Sequence, residues 1–109
     1  MNTIGVDFIG EVSLMEDSTK TKPLIQGWWG VSNLKGSQIN HSYYIYLLER
    51  KQIFFGESSK AEFKFKFSSD ERFQMKVLEG QVIELTLSRK IGEFKIEKIV
   101  NEKFILKDV

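Results

Sequence analysis

Between Leu78 and Val100 (LEGQVIELTLSRKIGEFKIEKIV) apolar and polar positions alternate twice. Ile83, Leu85 and Leu87 alternate with Glu84, Thr86 and Ser88, and after a break at Ser88 to Gly92 the alternation resumes with Phe94 and Ile96 against Lys95 and Glu97. Successive side chains on a strand face opposite ways, so this stretch predicts a β-hairpin with one buried face. A lone hairpin is marginal in water, so apolar runs elsewhere in the chain have to cover that face.

Those runs are short and separated by turn residues. Ile4, Val6 and Phe8 to Val12 give a first strand ending near Leu14, followed by a charged loop from Met15 to Pro23. Leu24 to Val31 carries a tryptophan pair between Gly27 and Gly30, glycines that predict bends or a close backbone approach. Ser32 to Ser42 reads as loop, Tyr43 to Leu48 as a strand, and Ile53 to Phe55 as a short strand between turns at Glu49 to Gln52 and Glu57 to Lys60. Ala61 to Phe67 alternates cleanly, with Phe63, Phe65 and Phe67 predicted inward and Glu62, Lys64 and Lys66 outward. After a turn at Ser68 to Glu71, Phe73, Met75 and Val77 predict a further strand, and a last short run covers Phe104 to Leu106. No stretch carries a helical stripe. Six to eight short strands without helix predict an all-β domain, a small closed antiparallel barrel or a sandwich, and nine phenylalanines suit the filling of a small barrel.

Composition narrows the picture. The 109 residues predict one domain, and 41% hydrophobic with 28% charged residues is the composition of a folded protein. Sixteen basic residues nearly cancel fifteen acidic ones, leaving a net charge of +1 and no strong global attraction to nucleic acid or anionic lipid. The absence of cysteine excludes disulfides, thiolate chemistry and sulfur-ligated metals. Met1 to Gly10 carries Asp7 and reads as no secretory signal, and no apolar window approaches a spanning length, so the expectation is a cytoplasmic protein with no membrane contact.

The order of several motifs resembles a known family. Phe8-x-Gly10-Glu11-Val12, a charged loop and then Pro23-Leu24-Ile25-Gln26-Gly27-Trp28 is similar to the opening of the C-terminal β-barrel, the third domain, of elongation factor Tu. There a Phe-x-x-Glu-Val strand precedes Pro-Phe-Phe-x-Gly-Tyr. Gly56 leading into Ala61 to Phe67 is similar to the family's Pro-Gly-Asp strand entry. Glu79-Gly80, a strand, Arg89-Lys90-Ile91-Gly92 and a second strand resemble the family's acidic-Gly, strand, Gly-Arg-Thr-Val-Gly, strand. The resemblance spans about residues 8–100, with 101–109 as a C-terminal extension. It implies a six-stranded antiparallel barrel of the translation-factor type, here reading as free-standing without the GTPase domain. No Gly-x-x-x-x-Gly-Lys-Ser/Thr loop occurs, so nucleotide binding is not expected. The hairpin has Ser88 where the family has a glycine pair, and Trp28-Trp29-Gly30 follows Gly27 where the family has Tyr-Arg-Pro.

Candidate sites are few. His41, the one histidine, reads as a solvated loop residue, since no motif places a nucleophile and an acid around it and one His without Cys is a poor basis for a zinc site. Glu49 and the Asp70-Glu71 pair sit in charged turns and read as solvated. Trp28 and Trp29 must face opposite sides of their strand. One indole is then in the core, and the other either meets a partner or lies under the following loop. Tyr44 and Tyr46 share a face opposite to Tyr43, and these aromatics interleave with Lys35, Lys64 and Lys66. That arrangement can bind single-stranded nucleic acid, although Glu57 and Glu62 dilute the positive field. Arg89 and Lys90 form a small basic point at the hairpin tip that can meet phosphate or an acidic partner.

The expected role is a non-enzymatic binding module without cofactor or metal. It docks on a protein or a structured RNA of the translation machinery through Trp28 or Trp29 and Arg89-Lys90. The alternative is an inhibitor, immunity or adaptor protein that acts by protein–protein contact alone.

Overall fold

A computed structural model describes residues 5–34, 40–73 and 75–105. Ile4, Lys35 and Leu106, named above, lie outside these residues. The described chain forms eight strands: β1 (Phe8–Leu14), β2 (Leu24–Ile25), β3 (Trp28–Leu34), β4 (His41–Leu47), β5 (Gln52–Ile53), β6 (Ser58–Phe65), β7 (Val82–Thr86) and β8 (Lys90–Ile99). Six of them close an antiparallel barrel in the order β1-β6-β4-β3-β7-β8, while β2 and β5 pair as a small ribbon outside it. Fold class is therefore as the alternation predicts.

Alternation also decides what lies inside. Phe8, Val12, Tyr43, Ile45, Phe63, Phe65, Ile83, Leu85, Phe94 and Ile96 are all buried in one continuous core. Tyr43 stacks on Phe63 with centroids 5.5 Å apart, and Phe63 meets Phe94 at 5.1 Å, so aromatic rings span the barrel interior. Glycine admits the tight curvature at two closing seams. A Cβ on Gly92 would strike the Ser13 carbonyl where β8 meets β1, and one on Gly30 would strike the Thr86 carbonyl where β3 meets β7. Gly27 turns the chain from β2 into β3 with φ of 75°, a conformation that favours glycine.

Several boundaries differ from the sequence reading, each for a tertiary reason. The loop expected over Ser32 to Ser42 is shorter, because Ser32 pairs with His41 across β3 and β4 and its buried hydroxyl donates to the His41 carbonyl at 2.8 Å. The turn expected at Glu57 to Lys60 is the start of β6, where Ser58, Ser59 and Lys60 extend the ladder against Ser13, Val12 and Glu11. The strand expected over Ile53 to Phe55 reduces to β5, which lies off the barrel. Phe67 is not inward: β6 ends at Phe65, the Ser68 N–H closes a turn on the Phe65 carbonyl, and Phe67 is exposed. The hairpin turn is Leu87 to Arg89, so Ile91 and Gly92 belong to β8, and a register shift between Leu85 and Thr86 leaves Leu87 outside the core.

Of the strand expected at Phe73, Met75 and Val77, the described residues show one parallel bridge, Val77 to Ile105. The run expected from Phe104 is a 3-10 turn, Glu102–Phe104, capped by the Asn101 side chain accepting from the Lys103 N–H. Phe104 is fully buried, with its ring 5.1 Å from Phe8 and 5.7 Å from Phe65. It closes one end of the barrel together with Phe73. No α-helix occurs among the described residues, and none of them forms a helix long and apolar enough to cross a membrane.

Candidate functional site

The four predicted contacts do not converge. Trp28 begins β3 with its ring in the core, and its Nε1–H donates to the Tyr43 hydroxyl at 3.0 Å. Burial pushes the Tyr43 phenol up to about 12, against the smaller lowering effect of that bond. Trp29, one residue on, faces outward and is 62% exposed. Arg89 reaches back across the hairpin tip to Asp17 at 2.7 Å, and Lys90 lies between Glu93 at 3.1 Å and Glu84 at 3.4 Å. The hydrogen bond to Glu93 is the main reason that the Lys90 pKa is raised. A cleft of about 320 Å³ at this tip is lined in part by Met15, Glu16, Asp17, Phe55, Arg89 and Lys90. Both cations have carboxylate partners, so the tip is not the isolated basic point that the sequence suggests.

Trp29 has company of another kind. It pairs across the ladder with Tyr44, which pairs in turn with Lys64, and the next row runs from Tyr46 through Glu62 to Ile9. All of these are outward positions, so the outer face of β3 and β4 carries Trp29, Tyr44 and Tyr46 together, with Lys64 and Glu62 beside them on β6 and Ile9 beyond Glu62 on β1. The Tyr44 and Tyr46 rings stand side by side with centroids 6.5 Å apart. On the opposite face of the same strands lie the core residues Tyr43, Ile45 and Phe63, so the barrel wall holds this surface rigid.

Glu62 is the residue that sequence reasoning passed over. Set between Lys60 and Lys64 in the alternating strand, it reads as a solvated charge, yet it is only 5% exposed. Its Oε1 is buried with no hydrogen-bond partner, and desolvation raises its carboxyl pKa. The flanking lysines are engaged elsewhere: Lys60 Nζ with the Glu97 carboxylate at 2.6 Å, and Lys64 Nζ with the Gly5 carbonyl at 3.1 Å and the Ser68 hydroxyl at 3.2 Å. The available signal was register. Only the pairing with Ile9 and Tyr46 shows that apolar neighbours flank this carboxylate on both sides.

The remaining candidates have structural settings. His41 is the first residue of β4, not a loop residue, and its ring meets Phe73 at 4.7 Å and Phe65 at 5.6 Å. Partial burial lowers its pKa, which keeps the imidazole neutral near pH 7. Asp70 holds the Arg72 guanidinium at 3.0 Å, a bond that lowers its own pKa. No group of three or more His, Cys, Asp or Glu suited to a metal ion occurs among the described residues. No protein-family model matches the chain, and no curated protein matches it.

Proposed function

We propose that this barrel is a non-enzymatic binding module that docks a protein partner on the outer face of β3, β4 and β6. The carrying observation is Trp29, 62% exposed on a regular strand beside Tyr44 and Tyr46. A strand that hides Trp28 in the core gains nothing in stability from a second indole in water. Large rigid aromatics at the centre of a flat face are the side chains that carry binding energy in protein interfaces. The resemblance to the third domain of elongation factor Tu supports a translation-associated, cytoplasmic partner. An inhibitor or adaptor would use the same face.

A protein partner is favoured over RNA because the hairpin-tip cations already have carboxylate partners and a buried carboxylate lies within the aromatic face. The test is recovery of partners by purified wild-type, Trp29→Ala and Arg89→Ala/Lys90→Ala proteins, each with and without nuclease. The expected result is a protein retained by wild type and by the double variant, resistant to nuclease and lost with Trp29→Ala. Nuclease-sensitive recovery that depends on Arg89 and Lys90 would instead establish RNA docking at the hairpin.

A further inference from the structure

We propose that Glu62, with Tyr46, Tyr44 and Trp29, is a receptor for an arginine side chain presented by the protein partner. This inference rests on the docking face just described and names the chemistry that the face recognises.

An unpaired carboxylate oxygen buried on the outside of a barrel is an unusual expense of folding. Burying a charge without a partner is disfavoured, and nearby cations normally swing in to satisfy it. Here both lysines on the same strand face are drawn away, Lys60 by the two oxygens of Glu97 and Lys64 by the Gly5 carbonyl and the Ser68 hydroxyl. Oε1 therefore remains an acceptor awaiting a donor. Its cross-strand neighbours on this face are Ile9 and Tyr46, and the ring of Tyr44 stands beside that of Tyr46. Trp29 stands opposite Tyr44 and extends the aromatic surface outward.

The incoming group has to satisfy three conditions. It carries positive charge to match the carboxylate, an N–H to meet Oε1, and a face that tolerates loss of water against aromatic rings. A quaternary ammonium lacks the N–H. A lysine ammonium has it but is compact and strongly hydrated. A guanidinium is planar, weakly hydrated, stacks on aromatic rings and donates to carboxylates in a fixed fork. Arginine meets all three. Its arrival would supply the donor that Oε1 lacks and a charge opposite to that of the carboxylate.

The probe is N-acetyl-arginine methylamide, titrated into 15N-labelled full chain and followed by NMR, with the neutral isostere N-acetyl-citrulline methylamide as control. The expected result is saturable shifts at the Trp29 indole N–H and at the amides of Tyr44, Tyr46 and Glu62. Citrulline should bind about tenfold more weakly, the worth of one charge-assisted hydrogen bond. Glu62→Gln keeps the shape of the side chain and removes the charge, so arginine and citrulline should then bind alike. Equal binding of the two probes to wild type would overturn the proposal. So would an arginine preference retained in Glu62→Gln, shifts centred on Glu84 and Glu93, or no binding at about 50 mM, above the millimolar range open to so small a ligand. The docking face is judged separately. A natural partner lost with Trp29→Ala but bound normally by Glu62→Gln keeps the face and removes the arginine site, whereas a partner bound by both variants removes the face itself.

Discussion

Replacing Asp7 should loosen the whole barrel, because this one residue ties three parts of the chain. Its N–H donates to the Phe63 carbonyl at 2.9 Å, and its carbonyl accepts from the N–H groups of Val100 at 2.8 Å and Asn101 at 3.1 Å. Its carboxylate, fully buried, accepts from the Phe65 N–H at 2.8 Å and from Asn101 Nδ2 at 2.9 Å. Asp7→Ala leaves the main-chain bonds but takes the acceptor from a buried N–H and from the amide that helps seat the C-terminal turn. Orphaning buried donors of this kind costs about 1–3 kcal/mol each, partly offset by removing a buried charge, so about 2–4 kcal/mol is expected. That is a large share of the 5–15 kcal/mol typical of a domain, and corresponds to a melting point lower by about 10–20 °C. Urea unfolding followed by fluorescence reads it, since Trp28 lies in the core. A loss below about 0.5 kcal/mol, the range of surface changes, would refute the assignment.

Asp7→Asn then tests the electrostatics. Burial is the largest influence on Asp7 and raises its pKa above the ordinary 3.8, outweighing the bonds from Asn101, Phe65 and Ser68 and the charge of Lys64. The native state therefore holds the proton more tightly than the unfolded chain does. The stabilisation this provides is complete below about pH 3.8 and is lost as pH rises through the raised native value. The advantage of wild type over Asp7→Asn should accordingly narrow as pH rises from 3.5 toward 7. A gap that widens with pH would mean that the hydrogen bonds outweigh desolvation.

Three further outcomes are expected. Phe104→Ala should lose about 3–5 kcal/mol in urea unfolding, because its buried ring fills the space between Phe8, Phe65 and Phe73, and a loss under about 1.5 kcal/mol would show that the C-terminal turn does not close the barrel. Ultraviolet titration should show one tyrosine ionising near 12, and Tyr43→Phe should delete that step while lowering stability by about 1–3 kcal/mol through the orphaned Trp28 Nε1–H. Gly92→Ala, whose Cβ would strike the Ser13 carbonyl and lie 3.0 Å from Leu14 Cα, should destabilise by more than about 2 kcal/mol. Gly80→Ala, with φ of 95° but open space around the Cβ, should lose about 1 kcal/mol, and equal losses at the two glycines would remove the steric account.

The barrel was legible in the sequence because a period of two reports directly on which side of a wall a residue stands. Ile83, Leu85, Phe94 and Ile96, and Phe63 and Phe65, fall inward as alternation requires, and adjacency alone places Trp28 and Trp29 on opposite faces. Alternation carries no information about where pairing stops. Phe67 continues the pattern of Phe63 and Phe65 but has no partner strand, and Phe73 to Val77 repeats the pattern while lying off the ladder. The burial of Glu62 is set by Ile9, 53 positions earlier in the chain, and by Tyr46, neighbours that only register supplies. The Arg89 ion pair is of the same kind, since Asp17 lies 72 positions earlier in the chain.

The arrangement of inside and outside also constrains where function can reside. Phenylalanine rings fill the barrel interior, and the aromatic plug at Phe104 and Phe73 closes one end, so the interior serves packing. Outside, several cations find carboxylates: Arg50 with Glu57, Lys60 with Glu97, Arg72 with Asp70, Arg89 with Asp17, and Lys90 with Glu84 and Glu93. Pairs of this kind are screened by water and add little stability, but they flatten the surface potential and weaken any pull on a polyanion. The face around Trp29 differs from these pairs in two ways at once, with aromatic rings side by side on adjacent strands and, beside them, a carboxylate with a buried oxygen that has no hydrogen-bond partner. Either departure alone has a bland explanation, an incidental exposed ring or an imperfectly solvated acid. Together, on adjoining strands, they define a surface complementary to a cation on a flat apolar stem, and the folding cost of Glu62 is then recovered at the moment of binding.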